Sequence, residues 1–211
     1  MSHFSTGSPL CFHTVLNTAE LTAFLSWRPV KPRSIEYRDS LIIGLAGACG
    51  LRRAEIAAVC TQGLFLEAGR PWIEFMGKGR KWRAVPLPGW LNMRLLAYKT
   101  ALMLGPGPLV RTAYSPFRPI VPHCVYMAVL RRSRQVLGFT VRPHTLRHSA
   151  ASLWLRNGAT LKTVQLLLGH SNIATTSRYL HSSSEELIRA IEGLQVGPVQ
   201  LNFFPEDKIH A

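Results

Sequence analysis

The chain has 211 residues, enough for one well-packed domain, and its 47% hydrophobic and 17% charged residues argue against wholesale disorder. Twenty-five Lys and Arg against eleven Asp and Glu leave a formal charge of +14, and the surplus is concentrated: between Glu74 and Glu185 there are sixteen basic residues and no acid. Solubility is usually served by mixed signs, so this balance excludes an acidic or neutral binding surface over half the chain and points to a polyanion, nucleic acid first.

Residues 1–16 read as a flexible arm, without the basic n-region and following apolar run of a signal peptide. Asn17 or Thr18 with Glu20 marks a helix start, and Leu21, Phe24 and Leu25 give it an apolar face as far as about Trp27. Pro29 and Pro32 break the chain before a second helix from about Ser34 to Gly50 and a third from Leu51 to about Cys60. Within the second lies LIIGLAGACGL (residues 41–51), too short for a bilayer span of about 20 residues and instead a core helix whose small residues permit close packing. Cys11, Cys49, Cys60 and Cys124 show no C-x-x-C spacing and read as reduced packing residues of a cytoplasmic protein.

The period then changes. LFLEAGRPWIEFMGKGRKWRAVPLP offers three short strands near residues 64–66, 72–76 and 82–87, joined by turns at Glu67 to Arg70 and Gly77 to Lys81, hence a small antiparallel sheet. Helices resume at about 89–103, pause in a Pro/Gly stretch from Gly105 to Pro122, and return at 123–137. Pro143 suits the first turn of a further helix, whose stripe of Leu146, Ala150 and Leu153 runs to a stop at Asn157-Gly158. Thr160 caps residues 161–168, Gly169 ends them, and Ser171 or Asn172 starts a short helix bearing Tyr179. Ser182 to Ser184 then break the chain before a last helix at 185–195. The fold class is α+β and mainly α-helical, with one three-stranded antiparallel sheet.

Chemistry concentrates in HTLRHSAASLWLRNGATLKTVQLLLGHSNIATTSRYLH, residues 144–181, which contains no carboxylate. On a helix His144, Arg147 and His148 share one face, opposite the Leu146/Leu153 stripe. The H-x-x-x-H spacing could seat a metal, but the glutamate of a zinc protease is absent and a guanidinium adjoins, so no metal or other cofactor is expected. An anion fits better, because a guanidinium fork matches two non-bridging phosphate oxygens. Tyr179 is the one strong nucleophile of the stretch, and taken alone it also reads as an interfacial aromatic.

These residues resemble the second box of the tyrosine recombinases, the phage integrase family: H-x-L-R-H, then L-L-G-H, then a Tyr nine residues later, as from His170 to Tyr179. ACGLRRAEI resembles the first box, and MGKGRKWRAVP the lysine-bearing hairpin. The resemblance covers about residues 17–195 and implies the catalytic-domain fold of that family. It implies that Tyr179 attacks the scissile phosphate of double-stranded DNA, forming a 3′-phosphotyrosyl bond. Arg52 and Arg147 would neutralise the phosphorane oxygens, Lys78 would protonate the leaving 5′-oxygen, His144 would move the tyrosine proton, and His170 would donate to the phosphate. Arg52 is preferred to Arg53 because it follows Gly-Leu and because Glu55 at i+3 can hold it; Lys78 is preferred to Lys81 for its G-K-G setting. His148 takes a supporting place. The lack of acids fits, since a carboxylate beside a pentavalent phosphate would repel it.

About sixteen residues precede the first helix, where most of the family carries a helical core-binding domain; the chain resembles the short fimbrial-type or plasmid recombinases in this. The domain reading is an arm (1–16), a DNA breaking-rejoining domain (17–181) and a C-terminal helix and tail (182–211) that docks on a neighbouring protomer or packs in cis. The resemblance further implies a homo-tetramer on two DNA sites built from monomers, an accessory or partner recombinase, no membrane, and a nucleoid location. Integration, inversion and resolution are equally open. The alternative is a non-catalytic helix-turn-helix regulator, because ATLKTVQLLLGHSNIATTSRYL also suits that motif.

Overall fold

The computed structural model describes residues 15–29, 31, 34–112, 118–169 and 180–193. Helix α1 (Thr18–Ser26) begins as its sequence requires: Asn17 Oδ1 accepts from the Glu20 amide and Glu20 Oε2 from the Asn17 amide, both at 2.9 Å. This reciprocal cap satisfies two amides that a helix start would otherwise leave open. Ser34 caps α2 (Ile35–Gly47) in the simpler way, through its hydroxyl and the Tyr37 amide.

Helix α2 is buried from Tyr37 to Gly47 and forms the axis around which α1, α4, α5 and α6 pack. Its glycines explain the close approach. A Cβ on Gly44 would meet Leu91 and Trp90 of α4 (Gly89–Ala101), and one on Gly47 would meet Leu25 and Leu21 of α1. The second predicted helix extended to Gly50, but α2 ends at Gly47, and the turn that follows feeds α3 (Arg53–Ala58). A 3₁₀ turn at Thr61–Gly63, not foreseen, leads into the sheet.

The sheet has the expected order, β1 (Leu64–Glu67), β2 (Arg70–Met76) and β3 (Trp82–Pro86), each pair antiparallel. Its register sets Ile73 opposite Val85 and Phe75 opposite Arg83. Strand alternation puts these four side chains on one face, and Ile73, Phe75 and Val85 are buried. Arg83 thus occupies a core-side position.

After the Pro/Gly stretch come α5 (Pro122–Leu137), α6 (Pro143–Arg156) and α7 (Leu161–Leu168). The stretch itself holds two isolated bridges, Cys60 with Pro108 and Arg111 with Pro119. Thr160 caps α7 as predicted, and Glu186 of α8 (Leu180–Glu192) also accepts from its hydroxyl at 2.9 Å. Helix α8 corrects one expectation. The serine run 182–184 does not break the chain but lies within the first turns of α8, where serine is well tolerated. Leu187, Ala190 and Ile191 turn this helix onto its own chain, against α7 and β3. The short helix predicted around Tyr179 lies outside the described residues. No helix among the described residues is long and apolar enough to cross a membrane.

Candidate active site

The site is built at the junction of the α2–α3 turn, the start of α6, the end of α7 and β3. Two glycines with left-handed backbone make the junction. Gly50 (φ 66°) turns the chain out of α2, and Gly169 (φ 63°) ends α7. Each aims a main-chain carbonyl at the same group: Gly50 O accepts from Arg147 Nη1, and Leu168 O accepts from Arg147 Nη2 at 2.5 Å. The guanidinium of Arg147, 5 % exposed, therefore bridges the two turns that the G-L-R and L-L-G-H motifs encode. Burial pulls its pKa down to about 10, helped by the positive charges of Arg52 and Arg83 and opposed by Glu55.

Glu55 organises the rest. Its carboxylate, 3 % exposed, accepts from the Arg52 amide at 2.7 Å, from Arg52 Nη1 at 2.8 Å and from Arg83 Nη1 at 3.0 Å, and stands 3.8 Å from Arg147 Nη1. The i+3 hold on Arg52 was predicted; the link to two arginines distant in sequence was not. It also corrects the expectation of a site free of acids. Three guanidiniums brought together, two of them largely out of water, repel one another, and a single interior carboxylate offsets that repulsion while fixing where each points.

Arg83 was missed at the sequence level altogether. Its Nη1 reaches Glu55, its Nη2 donates to Leu167 O at 2.7 Å, and its guanidinium carbon lies 5.4 Å from the Phe75 ring centre. A signal existed in W-R-A-V-P: Arg83 shares the parity of Val85, and a basic residue on the apolar face of a strand needs a buried partner.

His144 and His148 lie exposed in the first turns of α6, with their Nε2 atoms 2.8 Å apart and the rings edge to face. The supporting place given to His148 is thus a hydrogen bond to His144. Partial desolvation first, then the charges of His148, Arg147 and Arg52, hold the His144 pKa below its ordinary 6.5. Its imidazole is accordingly neutral at pH 7 and able to accept a proton. Lys78 and Lys81 stand exposed in the turn between β2 and β3, where the Gly77 amide donates to Lys81 O at 2.8 Å. His170 and Tyr179 lie outside the described residues. The structure thus brings together Arg52, Arg147 and His144 of the six nominated residues. Among the described residues no group of three or more His, Cys, Asp or Glu is disposed to hold a metal ion.

Three guanidiniums gathered round one buried carboxylate make a site suited to an anion, and comparison with known proteins places the chain. Residues 15–186 match the model of the phage integrase family, and the chain belongs to that family. It is 36% identical over 159 residues to a tyrosine recombinase of Pseudothermotoga lettingae, covering 74% of this chain and 54% of the relative. It is 33% identical over 178 residues to tyrosine recombinase XerD of Pseudomonas aeruginosa, covering 82% and 58%. Among solved structures it resembles XerH site-specific recombinase bound to palindromic difH substrate in a post-cleavage complex. That match has 28% identity and a TM-score of 0.62, covering 86% of this chain and 53% of that one. The chain thus spans little more than half the length of the relatives it matches.

Proposed function

We propose that this chain is the catalytic part of a tyrosine-type site-specific recombinase, which breaks and rejoins double-stranded DNA through a 3′-phosphotyrosyl intermediate. The observation that carries this reading is the paired guanidiniums of Arg52 and Arg147, held by Glu55 and two main-chain carbonyls beside a neutral His144. An arginine has five N–H donors, and the two bonds from Arg147 to carbonyls leave others for phosphate oxygens. Fixed donors in a partly desolvated site act most strongly where charge develops in the transition state.

In this mechanism the phenolic oxygen of Tyr179 attacks the scissile phosphorus as its proton passes to His144. The P–O5′ bond breaks, and the leaving oxygen takes a proton from Lys78. Arg52 and Arg147 neutralise the non-bridging oxygens and His170 donates a hydrogen bond to one of them. Reversal by the 5′-hydroxyl of a partner strand rejoins the DNA, so no external energy source is needed. The bound form is a homo-tetramer on two DNA sites, and a partner recombinase completes the grip on DNA. It acts in the cytoplasm, on nucleoid DNA.

Covalent trapping tests the reading. DNA carried by SDS-resistant adducts in cells expressing the chain is sequenced, and the recovered site is rebuilt as a duplex nicked beside the cleavage point. Wild-type protein should form the adduct, in EDTA as well as in its absence, and Tyr179→Phe should form none. No adduct from the wild type, or the same adduct from Tyr179→Phe, sinks the proposal.

A further inference from the structure

Of the groups in the cluster, Arg83 has no part in the mechanism above, yet like Arg147 it ties its own element to α3 and to the end of α7. It belongs to β3, bonds α3 through Glu55 and bonds the last turn of α7 through Leu167 O. The neighbouring carbonyl, Leu168 O, is the one that receives Arg147. The two arginines therefore occupy adjacent open carbonyls, of Leu167 and Leu168, at the negative end of the α7 dipole, immediately before Gly169. The chain there is shaped around the guanidinium: a Cβ added to Gly169 would run into the Nε, Cζ and Nη1 atoms of Arg83.

A strand can be docked by apolar contact alone, and Ile73, Phe75 and Val85 already provide that. Apolar contact is forgiving of small slips, whereas a guanidinium with two hydrogen-bond partners and an aromatic face fixes a strand in one register. What β3 carries at its start is the turn with Lys78, five residues from Arg83. Burial lowers the pKa of Arg83 and Arg52 repels it, so its site is not one a cation would occupy without the opposing pull of Glu55.

We infer that Arg83 is a positioning residue: by joining the β2–β3 hairpin to Glu55 and to the end of α7, it holds the Lys78 turn in register with the Arg52–Arg147 pair. Leaving-group protonation and neutralisation of the phosphate are thereby directed at one phosphodiester. The inference rests on the recombinase reading, and its test separates the two.

Two nicked duplexes of the recovered site are compared, one with the natural 5′-bridging oxygen and one with sulfur in its place. A thiolate leaves without a proton, so the sulfur duplex needs no general acid. Misplacing a catalytic group by about 1 Å can cost about a hundredfold. Arg83→Gln should therefore form adduct about a hundredfold more slowly on the oxygen duplex, but lose less than about tenfold on the sulfur duplex. Lys78→Ala should show the same contrast. Arg83→Lys, which retains the charge facing Glu55 but not the fork, should fall between. Rates are taken per folded molecule, counted by the near-UV circular dichroism of each variant, so loss of folded protein does not enter the comparison. An equal loss on both duplexes, or a wild-type rate from Arg83→Gln on the oxygen duplex, overturns the inference. If wild-type protein forms no adduct, the recombinase reading falls first and takes the inference with it.

Discussion

Glu55 shows how much a single side chain can decide. Removing one partner from a buried ion pair costs about 3–5 kcal/mol, because the charge left behind is uncompensated. Arg147 is buried, Arg83 nearly so, and Arg52 is a third exposed, so Glu55→Gln should fall at the lower end of that range. Urea denaturation should show the lower midpoint, with adduct formation falling further than the loss of folded protein explains. The histidine pair makes a separate forecast. His144 accepts a proton only while neutral, so at subsaturating DNA the rate of adduct formation should fall on an acid limb whose midpoint lies below pH 6.5. His148→Asn removes one of the charges that depress His144, so the acid limb should move up toward 6.5. A limb with its midpoint above 6.5 in the wild type, or one unmoved by His148→Asn, counts against this assignment. Stability has the same sign. The unfolded chain takes up the proton first, so the contribution of His144 is lost as pH falls from 6.5 toward its folded value. At this scale the sequence was legible where partners are close: Glu55 lies three residues from Arg52, and His148 four from His144. Strand parity marked Arg83 as a core-side cation, but its partners were not legible because they come from α3 and α7.

Among elements, local signals were strong where a helix declares its own ends. The caps at Asn17, Ser34 and Thr160 and the order of the three strands follow from side chains a few residues apart. Ends set by tertiary contact were less legible. Helix α2 stops at Gly47 rather than Gly50, because Gly50 must turn its carbonyl toward Arg147 of α6. Helix α8 runs through the serines because Ala190 and Ile191 are buried and Glu186 grips the start of α7. Gly50 is therefore doubly constrained. Its φ of 66° costs any residue with a Cβ about 1–2 kcal/mol, and that Cβ would stand 2.8 Å from the ring of buried Trp154. Gly50→Ala should lower the thermal midpoint by several degrees and weaken adduct formation through Arg147. Gly89→Ala, where a Cβ meets nothing within 4 Å, should leave both nearly unchanged. A Gly50→Ala protein as stable as the Gly89→Ala protein would show that the turn does not need glycine.

For the molecule as a whole, the raw surplus of basic residues overstates the surface available to DNA. Arg38, Arg94, Arg132 and Arg147 are buried. Arg38, Arg131 and Arg132 converge on the fully buried Asp39 at 2.8, 2.6 and 2.9 Å, with Glu36 also facing Arg132 at 3.0 Å. That network joins α2 to α5 and is internal structure that happens to be cationic. The sequence revealed the charge but not this division, because nothing local distinguishes Arg132 from Arg80. Exposed cations at the active-site end include Arg53 and the hairpin trio Lys78, Arg80 and Lys81. Each phosphate neutralised by a cation releases counterions, so affinity for duplex DNA should fall linearly on a log–log plot against salt, with a slope of about −0.9 per contact. Replacing Arg80 or Lys81 by Gln should flatten that slope by about one each, alike on target and unrelated DNA, if these residues meet the backbone. Arg132→Gln should instead lower stability and leave the slope of the folded protein unchanged. The comparison needs only fluorescence anisotropy over a salt series, and a slope indifferent to the hairpin but sensitive to Arg132 would mean that the DNA lies along α5 instead.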